Sequence, residues 1–163
     1  MADLRWDDHA GWLLDPADDE GCLPDLSIAD TTVADWQAFL DLVEERGWPY
    51  DYVVGCFEMP LPRAETVLSR PPGVVCPILS VRPGSEVGVV FRFHRAERID
   101  FDVYLDQLQG QEGLDVLCGF LAAIGRRLGT SVPTYPEGGC TGKPFLGFDV
   151  AADRVRVWTP PDE

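Results

Sequence analysis

Asp100, Asp102 and Asp106 are the residues whose type and spacing come nearest to a catalytic pattern. In an extended chain alternate side chains share a face, so Asp100 and Asp102 emerge together. Two carboxylates so placed could offer oxygen ligands to a divalent cation such as Mg²⁺. With Glu137 as a further carboxylate they would outline a small metal-dependent hydrolase. A plainer reading competes with this one. Ile99, Phe101 and Val103 alternate with the aspartates, which is how the watered side of a half-buried strand reads, and no third ligand cluster accompanies them. The water-facing reading is the expectation.

Other candidates are weaker. His94 lies in the run Arg92-Phe-His-Arg95, with Arg98 close behind. This basic patch could bind phosphate, or it could hold the acidic N-terminal segment by ion pairs. His9 has no companion at metal-ligand spacing. A cysteine nucleophile would need a histidine to take its proton. Cys140, in the loop Gly138-Gly-Cys-Thr-Gly-Lys-Pro, stands in the right kind of place, but nothing local marks it as activated. That loop contains a Gly-Lys pair without Walker-A spacing, and Pro144 occupies the place of the hydroxyl residue that would meet magnesium. The cysteines, Cys22, Cys56, Cys76, Cys118 and Cys140, are odd in number and irregularly spaced. They form no CxxC motif, so neither a structural zinc site nor a disulfide framework is expected, and the pattern fits a reducing cytoplasm. No cofactor is expected.

Charge carries more information than any of these motifs. The formal net charge is −15. From Met1 to Asp51 fourteen carboxylates face only two cations, Arg5 and Arg46. Such a surface repels nucleic acid and anionic lipid and attracts basic proteins. The densest part is Asp15, Asp18, Asp19, Glu20 and Asp25, interrupted upstream by Trp12. Trp36, Trp48, Tyr50 and Tyr52 are also interleaved with carboxylates, and aromatic anchors inside a charged rim are an interface composition. Charge runs are as often solvated faces that maintain solubility. No apolar run reaches the roughly 18 residues of a membrane span, and the N-terminus lacks the basic and apolar regions of a signal peptide.

The elements that must position these residues follow from periodicity. Thr32 and Asp35 resemble a capping box. Val33, Trp36, Phe39, Leu40 and Val43 then recur on one helical face, with Gly47 as the stop. Asp35, Asp41, Glu44 and Glu45 are expected on the opposite, watered face. A second helix is expected from Glu112 to Leu128, with Arg126 and Arg127 in its last turn complementing the helix dipole and Gly129 ending it. Strands are expected over Leu23 to Ile28, Tyr50 to Val54, Val74 to Val81, Val87 to Phe93, Arg98 to Tyr104, Ser131 to Tyr135, Phe145 to Val150 and Val155 to Trp158. Arg82-Pro-Gly-Ser-Glu would turn the third into the fourth. A short helix at Ala64 to Leu68 closes on Pro71-Pro72.

With many strands and few helices, the order argues for an α+β fold: a two-layer sandwich, a mainly antiparallel sheet with two main helices packed on one face. One domain over residues 1–163 is expected, with the acidic segment 1–22 tethered to the body.

Four stretches in this order support a resemblance: Gly21-Cys-Leu-Pro-Asp-Leu-Ser-Ile, Thr31-Thr-Val-Ala-Asp-Trp-Gln-Ala-Phe-Leu-Asp-Leu-Val, Glu97-Arg-Ile-Asp-Phe-Asp-Val and Thr134-Tyr-Pro-Glu-Gly. Together they resemble small bacterial cytoplasmic proteins that look like the immunity-type proteins of polymorphic toxin systems, over residues 12–158. The resemblance implies a non-enzymatic inhibitor that binds and blocks a toxin. It carries over no contact residues. Charge and resemblance together make Trp12, Asp15, Asp18, Asp19, Glu20, Asp25, Asp41, Glu44 and Glu45 the candidate contacts for a basic partner, a toxin or nuclease whose cationic cleft they would fill. The rivals are the Asp100/Asp102 hydrolase and a solitary structural or regulatory module.

Overall fold

The computed structural model describes residues 4–7, 25–84, 87–104, 107–135, 144 and 146–158. They form an α+β fold of three helices and one nine-stranded sheet, antiparallel at every pairing. The strands are β1 (Asp25–Ala29), β2 (Tyr50–Val54), β3 (Phe57–Glu58), β4 (Ile78–Gly84), β5 (Val87–Arg95), β6 (Arg98–Val103), β7 (Val132–Tyr135), β8 (Leu146–Asp149) and β9 (Arg154–Val157). The helices are α1 (Val33–Arg46), α2 (Ala64–Leu68) and α3 (Gln111–Leu128). Across the sheet the strands run β3-β2-β4-β5-β6-β1-β7-β8-β9.

Local sequence explains the main helix. Thr32 Oγ1 accepts from the Asp35 amide at 3.2 Å, and the Asp35 carboxylate accepts from the Thr32 amide at 3.0 Å. This closes the expected capping box and satisfies amides that have no partner inside the helix. Gly47 ends the helix in the left-handed region, at φ 67°. Val33, expected on the core face, is 37% exposed because it sits in the first turn, and Leu42 is buried with Trp36, Phe39, Leu40 and Val43.

Both long helices cover the same face of the sheet. Phe91 of β5 meets Phe39 of α1 with ring centroids 4.3 Å apart and Phe120 of α3 at 6.1 Å. Phe101 of β6 stacks on Phe91 at 4.6 Å, and Trp36 lies 4.7 Å from Phe93. α3 approaches β8 so closely that a Cβ at Gly125 would fall 2.0 Å from Phe148 Cδ1. Glycine there is a requirement of packing, set against its usual cost inside a helix.

The structure corrects several boundaries. β3 is a two-residue strand that hydrophobic patterning does not reveal; it forms a hairpin with β2 through Gly55, at φ 64°. Residues 74–77 are not strand; β4 begins at Ile78, in register with Val53 of β2 and Arg92 of β5. Arg82 to Gly84 stay in β4 across a register shift instead of belonging wholly to the turn. No described helix is long and apolar enough to cross a membrane.

Candidate functional site

Two surfaces carry the residues singled out by sequence. The first is α1. Asp41, Glu44 and Glu45 stand three and four residues apart, so the helix presents them on one side. Their surroundings differ. Asp41 is half-buried and accepts from Gln37 Nε2 at 2.9 Å, while Gln37 Oε1 takes the amide of Ala64 at 2.8 Å. Glu45 accepts from the two terminal guanidinium nitrogens of Arg127, at 2.6 and 3.1 Å. That bond, more than any other influence, holds the Glu45 carboxyl below its ordinary value and raises that of Arg127. Glu44 is exposed and has no ion-pair partner among the described residues. Beside them runs a groove of about 430 Å³ that includes Val33, Ala34 and Ala38, with Asp41, Arg63 and Glu65 also lining it.

The remaining acidic candidates are placed only in part. Asp25 opens β1, in register with Asp102 on one side and Tyr135 on the other. Trp12, Asp15, Asp18, Asp19 and Glu20 lie outside the described residues, as do His9, Asp106, Glu137 and Cys140. The interleaved aromatics do not form a rim of anchors. Trp36 and Tyr52 are buried, and Trp48 and Tyr50 pack partly buried against the core, Trp48 with its ring 5.0 Å from that of Phe120.

The second surface is the sheet face that the helices leave open. Pairing aligns Ile78, Arg92, Asp100 and Ser27 in one row and Ser80, Val90, Asp102 and Asp25 in the next. Asp102 is ion-paired to Arg92, and Ser27 Oγ donates to Asp100 Oδ1 at 2.8 Å. The two aspartates do share a face, but each already has a partner within the sheet. Among the described residues no three His, Cys, Asp or Glu side chains are grouped to hold a metal ion. The described residues alone therefore supply the hydrolase reading with no ligand set, and its further carboxylates, Asp106 and Glu137, lie outside them.

Comparison with known proteins brings no match: no family model, no curated protein and no solved structure is significantly similar to the chain.

At the β5–β6 end of the open face, Arg92, His94, Arg95, Arg98, Asp100 and Asp102 line a cleft of about 320 Å³. The turn that carries it is clamped by Thr31, just before α1, and by Trp36 in its first turn. Thr31 Oγ1 donates to the Ala96 carbonyl at 2.7 Å, the Thr31 amide to Glu97 at 3.1 Å and Trp36 Nε1 to the Arg95 carbonyl at 3.0 Å. His94, which lines the cleft, also has Cys76 Sγ 3.8 Å from its Nδ1. Sequence reasoning looked for a cysteine near a histidine and weighed Cys140. The signal that finds Cys76 is hairpin register: with Ile78 opposite Arg92, continuing two residues outward brings position 76 beside position 94.

Proposed function

We propose that the chain is a non-enzymatic cytoplasmic binding protein that captures a basic protein, in the manner of an immunity protein blocking a toxin or nuclease. One observation supports this most directly: α1 carries Asp41, Glu44 and Glu45 within little more than a turn, Asp41 lines a groove partly formed by small apolar side chains, and Glu44 has no ion-pair partner among the described residues. An exposed carboxylate with no internal partner is available to an incoming Arg or Lys at no cost in broken ion pairs. Desolvated carboxylate–guanidinium pairs would set specificity, and the long-range field of a chain at −15 would speed encounter. The acidic run Asp15 to Glu20 would extend the same field.

The test is affinity capture from the native lysate at low and at high salt, repeated with Glu44→Lys. Support is one basic protein recovered in equimolar amount, weakened by salt and weakened about tenfold in association rate by the charge reversal. Recovery that ignores both salt and the substitution overturns the electrostatic reading, and no recovery at either salt overturns the binding reading.

A further inference from the structure

The β5–β6 turn concentrates cations that no carboxylate among the described residues fully neutralises. Arg95 and Arg98 are register partners across the two strands. Like charges set opposite one another in a sheet repel. Arg92 has Asp102 as its counter-charge, but neither Arg95 nor Arg98 has a carboxylate partner among the described residues. The backbone does not escape by swinging away, because Thr31 and Trp36 bind the carbonyls of residues 95 to 97. The cleft's own carboxylates, Asp100 and Asp102, are engaged by Ser27 and Arg92. A small anion entering between Arg95 and Arg98 would relieve the repulsion, and guanidinium forks suit carboxylates geometrically.

Cys76 approaches the cleft through His94, one of its lining residues. It is half-buried, whereas Cys118 is buried within α3 and Cys56 stands exposed in the β2–β3 turn. Its thiol has two acceptors in reach, the Pro77 carbonyl at 3.6 Å and His94 Nδ1 at 3.8 Å. In the tautomer protonated at Nε2, Nδ1 can accept the thiol proton, which is what a sulfur nucleophile requires. His94 also lines the cleft, so the base and the anion site are contiguous.

We propose that the cleft binds small disulfides bearing carboxylates and that Cys76 exchanges with them. His94 Nδ1 takes the thiol proton, and Cys76 Sγ attacks the nearer sulfur of the bound disulfide. The disulfide bond breaks as the new sulfur–sulfur bond to Cys76 forms. The departing half leaves as a thiolate and recovers the proton from the imidazolium. The bound disulfide is the oxidant, and no other co-reactant is needed. This inference does not depend on the toxin-binding reading.

The experiment uses the full chain with Cys22, Cys56 and Cys140 each changed to Ser. It compares second-order labelling rates with dithiobis(nitrobenzoate), a dianionic disulfide, and dithiodipyridine, a neutral one. Cys76→Ser supplies the background. The protein's net charge opposes the dianion, so a preference for it relative to the urea-unfolded chain must come from a local field. The ratio of anionic to neutral rate is expected to fall about tenfold in Arg95→Gln/Arg98→Gln. His94→Gln should slow both probes. Arg154→Gln, which removes an exposed cation of β9 outside the cleft, should leave the ratio unchanged, with circular dichroism confirming that each variant folds. A ratio equal to that of the unfolded chain, or one that falls equally in Arg154→Gln, would overturn the anion site. Rates with both probes indifferent to His94→Gln would overturn the role of His94 as base.

Discussion

The two faces of the sheet solve opposite problems. On the helix-covered face Phe91, Phe93, Phe101 and Phe148 are all buried and meet mainly other apolar groups. On the open face the same strands present Arg92, Asp100 and Asp102 half-buried, and cross-strand partners satisfy them. The first face is governed by volume and the second by charge pairing. The contrast shows why carboxylates alone do not mark a site. Asp100 and Asp102 have the better spacing for chemistry, but Glu44 on α1 has the freer carboxylate.

Truncating the covered face should have the largest effect. Phe91 is fully buried and touches the rings of Phe39, Phe101 and Phe120. Phe91→Ala should cost about 3–5 kcal/mol, from lost transfer energy and the cavity left behind. Urea unfolding measures it, and a loss below about 1 kcal/mol would mean that the two helices do not depend on this ring for their seating. Arg92→Ala probes the open face. It strands the Asp102 side chain, which is 19% exposed, without its cation. The expected cost is about 1–2 kcal/mol, with coupling to Asp102→Asn in a double-mutant cycle. Coupling near zero would mean that the row Arg92–Asp102 is incidental to stability.

This contrast also bounds what could be read in the sequence. Elements whose signal is local were legible: the Thr32/Asp35 box, the Gly47 and Gly129 stops, and the alternation of Ile99, Phe101 and Val103. The α+β class followed from their order. β3 was not legible, since two residues carry no period and Phe57, at 73% exposed, gives no core signal. The site was legible only in pieces. Nothing in the spacing of Asp100, Asp102 and Arg92 says that the cation lies opposite the carboxylates, because strand register is set by long-range pairing. The same holds for Cys76 and His94, and for Arg127, which reaches Glu45 from another helix.

That last pair gives the smallest and most discriminating prediction. Glu45 and Arg127 form an exposed ion pair, and exposed pairs contribute little to stability. The direction is still fixed. The pair holds the Glu45 carboxyl below its ordinary value of 4.5, so its contribution is fully present above that pH and fades as the pH falls through the lower, folded-state value. Glu45→Gln should therefore leave a stability–pH curve that is slightly flatter on the acid side and close to unchanged elsewhere. Its effect on the captured basic partner should also be smaller than that of Glu44→Gln, because Glu45 must first give up Arg127 while Glu44 has no ion pair among the described residues to release. Association rates of the two variants at low salt decide the matter. If Glu45→Gln weakens binding more than Glu44→Gln does, internal pairing does not govern which carboxylates of α1 are available, and the distinction drawn between the aspartates of the sheet and the glutamates of the helix loses its basis.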